Sequence, residues 1–389
     1  MSFAETITKY IPSHPFGEIP WDEVEALFAA TCFARMKTTK QNPVFHGEGD
    51  VLAHTRMVCR ELINNPEFHE LPDRQKAELF LGTLLHDIGK VKTTRLEDGR
   101  WVSPNHSLTG SQIAREFLWE ACGLCGDAQA IRFRETVCAL IRHHTLPIHL
   151  MDREDPGRKA REVASIGRLV PDFSWKLLCM LAEADFRGRI SDSIEDSLQK
   201  VQLAKMLCEE KGVLRAPYPF ADSYTFHAYL KGRNVQPDQI LFDDTWGEVI
   251  MLSGLPGTGK DTWIRRNRPG LPVVSLENIR KEKGIRPTDR QGEVIQAARE
   301  RARIYLRSRQ PFIWNATNLT QNNRRKLINL FEQYGARVRI VYLETDHDRR
   351  MQRNRNRRAQ VPEDVVGRMR RTMVPPMPFE AQTVEWVSV

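Results

Sequence analysis

The stretch GLPGTGKDTW, residues 254–263, constrains the fold of this chain more than any other feature. It has the spacing G-x-x-x-x-G-K of a phosphate-binding loop, which forms between a buried strand and the start of a helix. The apolar run EVIMLS precedes it, and DTWIRRN can begin a helix. Glycines let backbone N–H groups turn inward around phosphate oxygens. The residues predicted to contact the nucleotide are Gly254, Pro256, Gly257, Thr258, Gly259, Lys260, Asp261 and Thr262.

The residue after Lys260 departs from the usual pattern of such a loop. A Ser or Thr normally stands there and holds magnesium, whereas this chain has Asp261. Carboxylates are also good ligands for this hard cation. Thr262 is a poorer substitute, because one residue along a helix turns the side chain by about 100°. We therefore hypothesise that Asp261 replaces the hydroxyl.

The two halves of the chain differ in their predicted secondary structure. Helical periodicity dominates the first half, at 77–90, 174–186 and 197–210. After residue 247, strand-like runs (248–253, 271–276, 311–317 and 336–344) alternate with helical segments (292–309 and 321–335), which predicts a parallel sheet with crossover helices. We predict an all-α domain over 1–215, a connection over 216–247 and an α/β domain over 248–389.

Nine of the eleven histidines lie before residue 150, many of them near carboxylates. A single histidine on an apolar face is usually a core residue, but such a series in one helical domain predicts a metal site. Neutral imidazoles and carboxylates suit divalent transition metals. The candidate ligands are His54, His86, Asp87, His106, His143, His144 and Asp185.

This series resembles the HD phosphohydrolase superfamily over roughly residues 40–200. The resemblance implies that Asp87 bridges two metals and that Lys90 contacts the substrate phosphate. For His46, substrate binding and a structural role both stay open. The implied first-metal ligands are His54, His86, Asp87 and Asp185, and the implied second-metal ligands are His106 and one of His143 and His144.

The second half carries further motifs: S-x-[DE]-x-I-R at 275–280, A-T-N-L at 316–319 and R-N-x-x-R at 353–357. With the loop, they resemble the 5′-OH polynucleotide kinase family of P-loop phosphotransferases over about residues 248–378. The resemblance implies Glu277 as general base, Arg280 as the residue that holds the substrate phosphate, and Arg353 and Arg357 as lid arginines. Asn315 stands where that family commonly has Asp.

The composition limits which cellular compartment and which kinds of partner we expect for this protein. The net charge of +8 and the isoelectric point near 9.2 are compatible with a polyanionic partner. There is no apolar run of membrane-spanning length and no secretory signal pattern at the start, and seven cysteines suit a reducing compartment. We expect a cytoplasmic protein that does not engage membranes.

Together the two halves resemble the bacterial HD-domain polynucleotide kinase-phosphatase enzymes of RNA end repair. The resemblance implies phosphorylation of 5′-OH ends by ATP or another NTP with Mg²⁺. It also implies hydrolysis of 2′/3′-phosphate or 2′,3′-cyclic phosphate ends by a centre of one or two divalent transition metals. The implied partners are RNA or DNA ends, an NTP and a separate downstream ligase.

Two other functions are compatible with the same residues. The first is a small-molecule kinase, acting for example on a nucleoside, fused to an HD nucleotidase. The second is an HD hydrolase regulated by ATP that binds to an inactive kinase domain, as the unusual Asp261 could indicate.

Overall fold

The computed structural model describes residues 3–286, 289–356 and 360–389. The chain forms two compact units. The first comprises Met1–Leu124 and Gln129–Tyr218, and the second comprises Cys125–Ala128 and Pro219–Val389. Arg357 of the predicted lid lies outside the described residues. No helix in the described ranges has the length and apolar character needed to cross a bilayer.

The first unit is helical, as predicted, apart from one small hairpin. Its two strands, β1 and β2, pair antiparallel across Asp98 and Gly99, which both have positive φ, as a tight hairpin turn requires. The elements are α1 (Phe3–Thr8), α2 (Trp21–Leu27), α3 (Val51–Asn64), α4 (Pro66–His69), α5 (Asp73–Leu85), α6 (Lys90–Thr93), β1 (Arg95–Glu97), β2 (Arg100–Val102), α7 (His106–Glu120), α8 (Ala128–His143), α9 (Leu146–His149), α10 (Pro156–Ala164), α11 (Trp175–Arg187) and α12 (Ile194–Glu210), with 3-10 turns at Phe33–Thr38 and Ser165–Arg168.

Helix α5 ends at Leu85, not at residue 90 as the periodicity predicted. The chain then turns through 86–89 and restarts as α6. In this turn the backbone of Gly89 lies directly against α7. A Cβ on Gly89 would lie 1.9 Å from the His106 carbonyl oxygen, so only glycine fits there. The turn thereby brings His86 and Asp87 close to the start of α7.

The second unit is α/β with a five-stranded parallel sheet, which confirms the predicted fold class. The strand order is β4-β5-β3-β6-β7, and every pairing is parallel. The elements are α13 (Ser223–Leu230), β3 (Glu248–Ser253), α14 (Lys260–Asn267), β4 (Val273–Ser275), α15 (Leu276–Lys283), α16 (Gln291–Arg307), β5 (Phe312–Asn315), α17 (Gln321–Gln333), β6 (Arg337–Glu344), α18 (His347–Arg355), α19 (Glu363–Thr372) and β7 (Thr383–Ser388), with a 3-10 turn at Pro378–Glu380.

Two parts of this unit differ from the sequence-based expectation. The segment 216–247, predicted as a connection, contains α13, whose buried residues include Thr225 and His227. Strand β7 was not predicted. It pairs with β6 at the sheet edge and is only partly buried, so its sequence lacks the continuous apolar run that marks a central strand.

A buried ion pair fastens the A-T-N-L segment to the sheet. The Arg324 guanidinium donates to both carboxylate oxygens of Glu380, at 2.7 and 2.8 Å, and to the Asn318 carbonyl oxygen at 3.0 Å. Asn318 in turn donates to the Leu252 carbonyl oxygen at 2.6 Å, at the end of β3. The strand that leads into the phosphate loop is therefore held from its C-terminal end.

We predict that Glu380→Gln destabilises the second unit by about 3 kcal/mol, because it leaves the buried Arg324 charge without its counter-charge. Glu385→Gln is the matched control. Its 39% exposed side chain lies 3.8 Å from Arg339, and we expect less than about 1 kcal/mol there. Native-state hydrogen exchange of the β3 and β6 amides measures both. Equal effects of the two substitutions would contradict the assigned role of the pair.

Candidate metal centre and phosphate loop

Asp87 lies at the centre of a cluster of histidines in the first unit. It follows His86 in the turn after α5 and is buried. Its Oδ2 lies 3.3 Å from His86 Nε2 and 3.7 Å from His54 Nε2. Its Oδ1 lies 3.5 Å from His106 Nε2 and 3.9 Å from His144 Nε2. Each oxygen of this one carboxylate thus faces a different pair of imidazoles.

Three of these imidazoles are oriented by the backbone carbonyl three residues earlier in the chain. Because a carbonyl oxygen only accepts, Nδ1 carries the proton and Nε2 presents a lone pair. The Nδ1–H groups donate to carbonyl oxygens from His86 to Thr83 at 2.7 Å, from His106 to Ser103 at 2.9 Å and from His144 to Ile141 at 2.8 Å.

Several inward-facing atoms have no protein partner that would satisfy them. The Nε2 atoms of His106 and His144 lie 3.3 Å apart, and two lone pairs at that distance repel unless a cation lies near both. His86 Nε2 and Asp87 Oδ1 are buried and make no hydrogen bond among the described residues. Imidazole nitrogens with a shared carboxylate are the donor set of a divalent transition metal. The residues therefore fit the predicted metal centre.

His54 joins the cluster from α3, which Asp50 caps by accepting from two backbone N–H groups. Its Nδ1 lies 2.9 Å from Glu48 Oε1, and its Nε2 lies 3.0 Å from Asp185 Oδ1. Because Glu48 accepts a hydrogen bond from Nδ1–H, the ring is held with Nε2 directed toward Asp185 and Asp87. This is the arrangement of a ligand histidine supported by an outer carboxylate.

Two groups of potential ligands share Asp87, as a bridging carboxylate requires. One is His54, His86 and Asp87, and the other is Asp87, His106 and His144. Asp185 adjoins the first group, 3.8 Å from His86 Nε2. His143 does not join either group, and its ring instead faces Phe173 at 6.4 Å between ring centroids. Of the two adjacent histidines, His144 is therefore the candidate ligand.

Two cations balance the buried carboxylates. Lys90 Nζ lies 2.7 Å from Asp87 Oδ2, and Arg189 Nη2 lies 2.6 Å from Asp185 Oδ2. Burial raises the pKa of Asp87, but the Lys90 charge and the imidazoles hold it well below its usual range. Burial likewise raises the pKa of Asp185, and Arg189 and His54 outweigh it. Both groups are therefore carboxylates at neutral pH.

The histidines of the second group are neutral. Burial lowers the pKa of His144 to about 3, assisted by His86 and His106. Burial also lowers the pKa of His106, although the Asp87 carboxylate opposes the shift. Neutral imidazoles are the form that binds a metal.

Sequence reasoning missed Glu48 and Arg189. Glu48 Oε1 accepts from His46 Nδ1 at 2.8 Å as well as from His54, so it orients both rings. Its position two residues after His46 was the available signal. Arg189 stands four residues after Asp185, two residues beyond the end of α11, and this short spacing of opposite charges was the available signal.

In the second unit, the loop after β3 has the backbone that a phosphate site requires. Gly254, Gly257 and Gly259 have φ of +145°, +87° and +91°, values that side chains rarely adopt. Helix α14 begins at Lys260. The Lys260 ammonium donates to the carbonyl oxygens of Gly254 and Leu255 at 2.9 and 2.8 Å, so it lies over the loop.

The remaining predicted loop residues have different surroundings. Pro256 and Thr258 are buried, and the Thr258 hydroxyl donates to the Leu255 carbonyl oxygen. The Thr262 hydroxyl instead accepts from Arg265 at 3.2 Å, within α14. Asp261, the residue between the loop lysine and Thr262, is exposed.

Asp261 and Asn315 are direct partners. The Asn315 amide, at the end of β5, donates to Asp261 Oδ1 at 2.7 Å. The two residues that depart from the motifs expected from the sequence, Asp261 and Asn315, thus form one hydrogen-bonded pair. The bond fixes one oxygen of Asp261 and leaves the other able to accept a proton or bind a cation.

The predicted catalytic residues of the kinase lie at or beyond the carboxyl ends of the strands. Ser275 ends β4 and caps α15, which carries Glu277 and Arg280. Glu277 lies 3.0 Å from Lys281, and Arg280 donates to Gln291 at 3.0 Å. The carboxyl edge of a parallel sheet is where ligands of such folds bind.

Arg353, on α18, lies over the phosphate loop. A Cβ on Gly259 would come within 3.1 Å of Arg353 Nη1. That nitrogen is buried and makes no hydrogen bond within the described part of the chain. A buried, unsatisfied guanidinium nitrogen beside a glycine loop fits an anionic ligand.

The fold and both sites define two classes of domain, a helical domain with a histidine–aspartate cluster that could hold a metal and an α/β domain with a phosphate-binding loop. Comparison with known families agrees. The HD domain family matches residues 51–170, and an AAA domain family matches residues 249–376. The chain therefore has an HD domain and a C-terminal P-loop kinase-like domain, and the two support a bifunctional phosphohydrolase and kinase. HD domains bind divalent metals, and P-loop kinases use ATP with Mg²⁺.

We predict that His144→Ala removes about one of two bound metal equivalents, because it deletes a ligand of the second group. The adjacent His143→Ala is the matched control and should retain the wild-type content. Elemental analysis after equilibration with Mn²⁺ or Zn²⁺ gives the stoichiometry. The reverse ranking of the two variants would show that the wrong histidine has been assigned.

We also predict that Asp261→Ala weakens the Mg²⁺-dependent component of ATP binding by at least about tenfold, with a similar loss of kinase rate, because a cation ligand is lost. The double variant Asp261→Ser/Asn315→Asp moves the carboxylate to the strand end and should recover most of both. Calorimetric titration of ATP with and without Mg²⁺ measures the affinity. Wild-type behaviour of Asp261→Ala would refute the hypothesis that Asp261 has replaced the hydroxyl.

Proposed function

We propose that this protein heals broken nucleic-acid ends, with RNA as the principal substrate. The HD domain removes 2′/3′-phosphate or opens 2′,3′-cyclic phosphate, and the kinase domain phosphorylates the 5′-OH. The observation that carries the proposal is that one chain holds two phosphate-handling sites of different chemistry. A strand break leaves a different phosphate defect at each end, and each domain would correct one of them.

In the HD domain, the residues that would hold one or two divalent transition metals are His54, His86, Asp87, His106, His144 and Asp185. When bound, these ions would supply an activated water and screen the phosphate charge. Lys90 and Arg189, each of which adjoins one of the central carboxylates, would bind the phosphate oxygens. Glu48 keeps His54 in the tautomer that directs Nε2 inward.

In the kinase domain, phosphoryl transfer would be stabilised mainly by positioned charge. Lys260 and Arg353 would bind the transferring phosphoryl group, and Arg280, anchored by Gln291, would hold the substrate phosphate. Glu277 would accept the proton of the 5′-hydroxyl as its oxygen bonds to the γ-phosphorus. The bond from that phosphorus to the bridging oxygen of ADP breaks in the same step.

The preference for a polynucleotide rests on charge and on sequence motifs. A net charge of +8 favours a polyanion. The motifs around Glu277, Arg280 and Arg353 resemble those of 5′-OH polynucleotide kinases. A ligase would act afterwards as a separate protein, and the setting would be cytoplasmic.

We predict that the protein transfers label from γ-labelled ATP to an RNA oligomer with a 5′-OH end and releases phosphate from a 3′-phosphorylated oligomer. Lys260→Ala should lower the transfer at least about 100-fold while phosphate release persists, and Asp87→Asn should do the reverse. Transfer to nucleosides but not to oligomers would instead favour a small-molecule kinase. Phosphate release that requires ATP without any transfer would favour a regulatory P-loop domain.

A further inference from the structure

Three exposed apolar side chains lie on two chain segments beside the HD metal centre. Val44 is 69% exposed, Phe45 is 47% exposed and Ile190 is 56% exposed. Large apolar side chains in water raise the free energy of the folded state relative to a buried placement. We call these three residues the apolar rim.

The two segments that carry the apolar rim are fastened to each other. Gly47 N–H donates to the Ile190 carbonyl oxygen at 2.9 Å, and the Ser191 hydroxyl donates to the Val44 carbonyl oxygen at 3.4 Å. A Cβ on Gly47 would lie 2.9 Å from the Ile190 carbonyl oxygen and 3.0 Å from Ile190 Cγ2. Glycine therefore permits the close approach, and the apolar rim has a defined backbone.

One carboxylate joins the apolar rim to the metal centre. Glu48 Oε2 accepts from the Ile190 N–H at 3.0 Å, while Glu48 Oε1 lies 2.9 Å from Nδ1 of the candidate ligand His54. The rim is therefore built on the same side chain that orients a metal ligand.

Each rim segment is also adjacent in sequence to a residue that contacts a charged group of the candidate metal centre. Phe45 precedes His46, whose Nε2 lies 3.4 Å from Lys90 Nζ. Ile190 follows Arg189, which pairs with Asp185. If the phosphate of a substrate lies at the metal centre, the part of the substrate that adjoins this phosphate would contact the apolar rim.

We propose that the apolar rim binds the nucleobase of the terminal nucleotide whose 2′- or 3′-phosphate is hydrolysed in the HD domain. The inference rests on the proposed hydrolase function and names its substrate-binding surface. A base offers a flat apolar face, and an aromatic ring such as that of Phe45 stacks on any base. The rim side chains carry no hydrogen-bonding group, so the surface favours nucleotides over base-free phosphates without selecting among the bases.

The size of the apolar rim decides against a protein partner as its occupant. A stable protein interface involves roughly 20–30 residues on each side, whereas this surface has three apolar side chains. One base has the dimensions that such a surface can cover.

The first arm of the test compares two substrates of the HD domain, a nucleoside 3′-monophosphate and base-free ribose 3-phosphate. For Phe45→Ala/Ile190→Ala, we expect kcat/KM for the nucleotide to fall about tenfold, the range of one base–aromatic contact. The value for ribose 3-phosphate should not change. Phe16→Ala/Leu203→Ala removes one exposed aromatic and one exposed aliphatic side chain elsewhere in the same unit, and it should match wild type on both substrates.

The second arm measures binding without turnover. Calorimetry with nucleoside 3′-monophosphate is done on Lys260→Ala protein, so that the phosphate loop of the kinase does not contribute. Adding the two rim substitutions should weaken Kd about tenfold, with the metal content unchanged. If wild type hydrolyses neither substrate, the proposed hydrolase function fails, and this arm still decides the role of the rim.

Three outcomes would overturn the inference. The first is an equal loss of kcat/KM on both substrates, which would indicate damage to the metal centre. The second is an unchanged Kd in the rim variant. The third is a change in sedimentation that only the rim variant shows, which would make the surface a contact between copies of the chain.

Discussion

The packing around the candidate metal centre of the first unit depends on the Asp87 carboxylate, which two groups of candidate ligands share. A buried carboxylate is costly unless positive charge surrounds it. Here Lys90 contacts one oxygen, while imidazoles from three other parts of the chain face the two oxygens. Several features bring these groups together: the turn at 86–89, the absence of a side chain at Gly89 and the placement of α3, α7 and α8. Because the candidate ligands lie on the helices α3 and α7 and in the turns that follow α5 and α8, the packing of these helices also sets the positions of the ligand atoms.

The sequence predicted those secondary-structure elements and motifs that are marked by a local pattern of residues. The parallel sheet follows from four apolar runs that alternate with helical segments, and the loop follows from the spacing of Gly254, Gly259 and Lys260. Two elements, β7 and α13, were not predicted because their sequences lack such signals. Strand β7 is stabilised by pairing with β6 and not by a continuous apolar run. Helix α13 is short and is buried by its surroundings, and the prolines on either side of it favoured a connection instead of a helix.

For the metal centre, residue types could be predicted but roles could not. His143 and His144 are adjacent and equivalent in sequence, and only the path of the chain after α8 distinguishes them. Glu48 and Arg189 carry no motif of their own. Glu48 contacts His54 and Arg189 contacts Asp185, both over short sequence distances. Their roles become visible only because the fold brings His54 and Asp185, which are 131 positions apart, to within hydrogen-bond distance. Arg357 stays a prediction.

The hydrogen bond between Asp261 and Asn315 limits which substitutions this kinase-like domain can accept during evolution. Two carboxylates at these positions would repel each other, and two uncharged residues would leave a cation without its counter-charge. A substitution at only one of the two positions is therefore unfavourable, and we expect the two positions to vary as a pair among related chains. A motif search that demands a hydroxyl after the loop lysine would overlook every chain that carries this exchanged form.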